Sequence, residues 1–383
     1  MSIPALRVCA LLALLSALAG APAGQDGAHP QRARPNILFV FSDDHAPHAL
    51  GAYGGALATL DPTPRLDALA AEGALFRRSF CTNAICGPSR AVVLTGKHSH
   101  VNGFGTNGDR FDGDQVTFPK LLQAAGYATA VIGKWHLGSE PQGFDHWEVL
   151  PGQGDYYNPE FLSPSGSRRL PGYVSDLITD LSLEWLESVR DDGRPFLLMA
   201  QHKGPHRNWM PPERHLDLYD DVEIPEPDTL FDTWADNASP ARQQRMTVRH
   251  ELDLVYDLFV PPFEGWDPED VVAGDGSGFR NLDDMTPEQR AAWDRAFAHE
   301  NEALLAAGLD GDALVSWKYQ RYLKNYLRTV RGVDDSVGRL LTWLDETGLA
   351  ENTVVVYSSD QGFFLGDHGW YDKRWMYEES LAM

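Results

Sequence analysis

Four short apolar runs in this chain each give way to a cluster of charged or histidine side chains. They lie at residues 36–42, 127–132, 195–200 and 353–358. The polar clusters that follow are Asp43-Asp44-His45, Gly133-Lys134-Trp135-His136, His202-Lys203-Gly204-Pro205-His206 and Ser359-Asp360-Gln361. The continuous apolar run at 36–42 reads as a strand buried on both faces, 195–200 as another buried strand, and 127–132 and 353–358 as strands. Helical patterns separate these runs at 63–73, 117–126, 174–190 and 316–346. The first has Thr63 as candidate N-cap, Pro64 in the first turn and Gly73 as stop, and 117–126 repeats that grammar. Strands alternating with helices predict an α/β fold with a largely parallel, helix-covered sheet. In such sheets, sites gather at the carboxyl ends of strands, where the polar clusters stand here.

The chain is long enough, at 383 residues and 43% hydrophobic, for one large domain or two smaller ones. Residues 1–24 differ from the rest. Arg7 is their only charge, residues 8–18 are almost wholly apolar, and small residues follow at 17–19 and 21–23. This predicts a secretory signal peptide, with the working domain at 25–383 and a secreted or periplasmic location. The apolar run is about half the ~20 residues a spanning helix needs, so no membrane span is expected. Residues 221–314 are acidic, rich in Pro and Trp and weakly periodic; they predict a long excursion over the surface. The net charge of −23 argues against nucleic acid as partner. Any anionic substrate must meet a local basic pocket inside an acidic protein.

Cys9 leaves with the signal peptide, and Cys81 and Cys86 are close enough in sequence to close a small disulfide. The surroundings of Cys86 point elsewhere. Pro88 suits a first helical turn, which puts residue 86 beside a helix N-terminus, where free N–H groups favour an anion. Arg90 adds planar donors suited to an oxyanion. Asp43, Asp44 and Asp360 with the amide oxygen of Gln361 form a hard-oxygen set suited to Ca²⁺, without the histidine or cysteine that zinc prefers.

The segment Cys86-Gly87-Pro88-Ser89-Arg90, three residues, then Leu94-Thr95-Gly96 resembles the signature of the type I sulfatase family. The resemblance runs from about Asn36 to the end of the chain. It implies an alkaline-phosphatase-like α/β/α sandwich. It also implies that Cys86 is oxidised to formylglycine by a separate maturing enzyme. Asp43, Asp44, Asp360 and Gln361 would then bind a divalent cation together with residue 86; the family more often has asparagine where Gln361 stands. Lys134 would lie near the modified residue and His136 would serve as base in the release step. His206 would face the leaving-group oxygen, with His202 the lesser choice, and Lys373 would contact sulfate and leaving group. Such sulfatases continue through another strand and a smaller C-terminal subdomain, so a C-terminally truncated chain is expected.

The mechanism implied by the resemblance is attack on sulfur by the hydrated aldehyde and protonation of the departing alcohol by His206. Sulfate then leaves with His136 as base. Residues 202–207, 318–335 and 358–380 resemble sulfatases acting on N-acetylglucosamine-6-sulfate or mucin-type glycans, so a sulfated carbohydrate is the expected substrate. Two alternatives stay open: a phosphomonoesterase or phosphodiesterase on the same fold, and an inactive relative that binds sulfated glycans.

Overall fold

The computed structural model describes residues 34–267 and 282–383. The signal-peptide expectation at 1–24 lies outside the described residues. Seven strands form one sheet: β1 (Asn36–Ser42), β2 (Ala128–Lys134), β3 (His146–Leu150), β4 (Glu160–Ser163), β5 (Gly166–Arg169), β6 (Phe196–Gln201) and β7 (Thr353–Ser359). Their order is β5-β4-β3-β2-β6-β1-β7. β1, β2, β3, β6 and β7 run parallel, and β4 and β5 add an antiparallel edge. The four apolar runs are thus β1, β2, β6 and β7, with ends shifted by at most two residues.

The principal helices are α1 (Pro64–Glu72), α2 (Cys86–Thr95), α3 (Phe118–Ala124), α4 (Val174–Val189), α5 (Pro287–Ala307) and α6 (Gly311–Glu346). Side chains alternate across each strand, so one strand supplies both cores. Leu38 and Val40 of β1 pack with Leu66 of α1, Ile178 and Trp185 of α4, and Val333 and Val337 of α6. Phe39 faces the other way, towards Ala91 and Leu94 of α2 and Phe118 of α3. The result is the α/β/α sandwich. Thr63 stands at the start of α1, but its hydroxyl accepts from Gly51 N–H and donates to Asp67 instead of capping the helix.

Register places the site. Ser42 pairs with Ser359, Phe41 with both Ser358 and Gln201, and Gly133 with Gln201. The carboxyl ends of β1, β2, β6 and β7 are therefore level, and the clusters that follow them emerge on one rim.

Of the expected surface excursion at 221–314, residues 268–281 lie outside the described residues. Ile224, Met246, Val248, Leu252 and Leu258 are buried against Tyr322, Tyr326 and Val330 of α6. Residues 287–307 form a helix whose start carries a reciprocal cap between Thr286 and Gln289. No helix among the described residues is long and apolar enough to cross a membrane.

Candidate active site

Asp43 and Asp44 follow β1, and Asp360 and Gln361 follow β7. All four side chains are buried, and one oxygen from each of the three carboxylates lies within 4.8 Å of the others. Asp44 turns the chain at φ 66°, a left-handed conformation that Asp tolerates better than most residues. Its N–H donates to Asp360 Oδ1 at 3.1 Å. Arg90, one turn into α2, reaches Asp360 Oδ2 through Nε and Nη2, each at 3.0 Å. Its Nη1 donates to Lys134 O at 2.9 Å and to Gln201 Oε1 at 2.7 Å. Ser89 donates its hydroxyl to the Asp360 carbonyl. The signature helix is therefore bolted to the end of β7.

Cys86 opens α2 and points into this cluster. Its Sγ lies 3.8 Å from Gln361 Nε2, and Asp43, Cys86 and His206 offer donor atoms within 4.8 Å of one another. Cys81 and Cys86 are both free thiols, so the alternative of a disulfide between them fails. Burial pushes the Cys86 thiol up to about 12, helped by Asp44 and Asp360 and opposed by Lys373 and Arg90. A thiol held protonated in this way is a weak nucleophile.

Lys134 at the end of β2 donates to Asp43 and, at 2.5 Å, to Gln153 Oε1. Lys373 donates to both oxygens of Asp44 at 2.5 Å. Burial disfavours the Lys373 charge, but Asp44 outweighs it and holds the ammonium protonated. Burial raises Asp44 to about 6, with Lys373 opposing. His206 is buried and its Nδ1 faces the Arg207 carbonyl, which only accepts, so Nδ1 carries the proton. That leaves Nε2, 3.8 Å from Asp44 Oδ2, as the atom facing the cluster. Burial, then Lys134, Lys373 and Lys203, keep this ring neutral. His136 sits at φ 54° after Gly133, and burial with Lys134 and Arg90 pushes it down to about 2.

The carboxylate cluster fits a hard divalent cation on the evidence of its own atoms. Asp43 Oδ1 and Gln361 Oε1 are buried acceptor oxygens with no donor. A buried acceptor without a partner is costly, and oxygens of this kind are what Ca²⁺ takes.

A cavity of about 520 Å³ opens over the cluster, lined by Cys86, His136, His206 and Lys373. Arg90 and Lys134 are brought to the cluster but stand behind it and do not line this space. Arg90 spends its donors on Asp360, Gln201 and the Lys134 carbonyl, and Lys134 donates to Asp43 and to Gln153 on the cavity wall. The walls come from residues that sequence reasoning did not single out: Asn107, Gln153, Asp155, Arg207, Asn208, Tyr256, Asp372 and Arg374. Asp372 and Arg374 flank Lys373 and pair with each other. Arg207 pairs with Asp257 at 2.6 Å between the rings of Tyr256 and Tyr371. His202 is buried with both ring nitrogens unpartnered and does not line the cavity, and His368 lies 3.3 Å from Glu379, also outside it.

Fold and site together define an α/β/α sandwich that presents a buried carboxylate cluster, a helix N-terminus and a cavity lined by basic side chains at one rim of a largely parallel sheet. The chain belongs to the sulfatase family: the family model described as Sulfatase matches residues 35–381. It is 48% identical over 362 residues to the N-acetylglucosamine-6-O-sulfatase of Bacteroides thetaiotaomicron, covering 93% of this chain and 63% of that protein. It is 26% identical over 368 residues to the ulvan-active sulfatase of Formosa agariphila, covering 91% of this chain and 55% of that protein. The chain thus spans less than two thirds of the length of these curated relatives. A structure solved in complex with its substrate, D-glucosamine-2-N,6-O-disulfate, superposes with a TM-score of 0.84 at 47% identity, covering 91% of this chain and 69% of that one.

Proposed function

We propose that this chain is the catalytic part of an exported, Ca²⁺-dependent sulfatase that removes the 6-O-sulfate of glucosamine-type sugars, with Cys86 converted to formylglycine by a separate maturing enzyme. The observation that carries this reading is the meeting of Asp43, Asp44 and Asp360 beside residue 86, under a cavity lined by His206 and Lys373. The identity to an N-acetylglucosamine-6-O-sulfatase supports the choice of sugar. The apolar run within residues 8–18 supports export to the periplasm or beyond.

When present, the cation supplies a Lewis acid and the hydrated aldehyde supplies a hydroxyl nucleophile that no unmodified side chain offers. Asp43, Asp44, Asp360 and Gln361 would hold the cation. Arg90 fixes Asp360 and, at 3.8 Å, faces Asp43. Lys373, in the cavity, balances charge on the sulfuryl oxygens; Lys134 does so from behind Asp43. Such preorganised electrostatics is usually the largest catalytic contribution. His206 presents Nε2 for the leaving oxygen. The free protein keeps that ring neutral, so the proton it donates must be taken up with the substrate, whose sulfate brings negative charge beside it. General acid catalysis of this kind contributes about 10²–10⁴-fold. His136, neutral in the free protein, is in the protonation state a base requires.

The test is sulfate release by protein produced with its maturing enzyme, from N-acetylglucosamine 6-sulfate, its 3-sulfate and the 6-phosphate. Release from the 6-sulfate alone, lost on chelation and restored by Ca²⁺, is the expected result. Phosphate release without sulfate release, or restoration by zinc alone, would overturn the reading.

A further inference from the structure

Asn107 lines the cavity next to residue 86, and no step above uses it. Its Oδ1 accepts the backbone N–H of Gly87 at 3.0 Å. A peptide N–H pairs with the oxygen of a carboxamide and never with its NH₂, so this one bond fixes which way the amide points. The Nδ2 end is then directed away from the helix start. It has no hydrogen-bond partner among the described residues, and it is not among the polar atoms sealed from solvent. With Asn107 on the cavity wall, its two N–H bonds are the uncommitted part.

The seat of this side chain is tightly specified. A Cβ on Gly87 would lie 2.8 Å from Phe104 and 3.0 Å from Asn107 Oδ1, so only glycine lets the 104–107 turn close on the residue after Cys86. Phe104 is buried, and its N–H is held by Asn102 Oδ1 at 2.9 Å. The amide is therefore preorganised, and ordering it costs nothing further when a ligand arrives.

We propose that Asn107 is a catalytic residue whose carboxamide NH₂ donates to a sulfuryl oxygen of the bound ester. The identity of the ligand rests on the sulfatase reading; the orientation of the amide does not. A sulfuryl group presents several oxygens, and Lys373 is a single point charge in the cavity. A neutral fixed donor adds directional stabilisation as charge builds on those oxygens, without further repulsion towards the cation that Asp43, Asp44 and Asp360 would hold.

Asn107→Asp separates donation from support. The carboxylate keeps an oxygen for Gly87 N–H but loses the donor. Four quantities are compared in wild type, Asn107→Asp and Asn107→Ala: kcat and KM for sulfate release, the Kd of inorganic sulfate by calorimetry, and the Kd of Ca²⁺. The inference predicts that both variants lose about 10²-fold in kcat/KM and bind sulfate at least ~10-fold more weakly, while Ca²⁺ affinity stays. An Asn107→Asp variant that matches wild type while Asn107→Ala does not would overturn it, because support of the helix would then be the whole role. If Asn107→Asp does not fold, Asn107→Ala decides: sulfate affinity equal to wild type overturns the inference, and weaker sulfate binding with unchanged Ca²⁺ affinity upholds it. Wild type that releases no sulfate would count against the sulfatase reading, and the sulfate Kd comparison would still decide the role of Asn107.

Discussion

Asp360 joins three parts of the site at single atoms. Oδ1 takes the Asp44 N–H, Oδ2 takes Arg90, and its carbonyl takes the Ser89 hydroxyl. Removing its carboxylate leaves the Arg90 guanidinium partly unpaired as well as deleting a proposed cation ligand. Asp360→Ala should therefore weaken Ca²⁺ binding by more than ~100-fold, whereas Gln361→Asn, which keeps an amide oxygen, should stay within ~10-fold. Calorimetry on chelated and reloaded protein reads both, and equal losses would contradict the assignment. His202 gives a pH test. Burial pushes its ring down to about 4 from an ordinary 6.5. The unfolded chain then takes up the proton first, so the folded state loses about 3 kcal/mol at this residue as pH falls from 6.5 to 4. His202→Leu has no proton to gain. Urea unfolding should show wild type losing stability relative to that variant across this window, and a gap independent of pH would contradict the buried neutral ring.

At the scale of elements, α6 does more than cover the sheet. Tyr326 donates its hydroxyl to the Asp44 carbonyl at 2.7 Å and accepts the Ala46 N–H at 2.9 Å, holding the turn that aims Asp44. Tyr326→Phe leaves both backbone groups unpaired in a buried place, which costs about 1–3 kcal/mol. Thermal unfolding should show that loss, and Ca²⁺ should bind more weakly; unchanged affinity would separate α6 from the site. The elements that were legible in the sequence share one property. β1, β2 and β6 are buried almost throughout, so continuous apolar runs marked them, and level carboxyl ends made the following Asp, Lys and His clusters readable as one rim. β7 was legible by its valines, although Val354 and Val356 remain 48% and 38% exposed. β5, Gly-Ser-Arg-Arg, is exposed at every residue and has no apolar signal; it exists through pairing with β4. α5 was missed because its buried residues, Trp293, Phe297, Asn301 and Leu304, form a narrow stripe in an acidic helix. Its cap at Thr286 and Gln289 was the signal that could have found it.

Across the whole molecule, a chain of net charge −23 gathers Arg90, Lys134 and Lys373 at one buried place. The acidic surface demanded such a pocket, and the motifs supplied its residues. The cavity walls were less legible. Gln153, Asn208 and Tyr256 belong to loops far apart in sequence, and only the closed fold brings them to one space with Cys86. Residue 86 stands at the centre of this arrangement, and the proposed conversion of its thiol to formylglycine decides the chemistry. Mass spectrometry of the peptide spanning residue 86, on the same preparation whose sulfate release from N-acetylglucosamine 6-sulfate is measured, tests it most directly. Turnover should scale with the fraction of residue 86 present as formylglycine and vanish in Cys86→Ala. Full turnover by protein whose residue 86 is entirely cysteine would contradict the account.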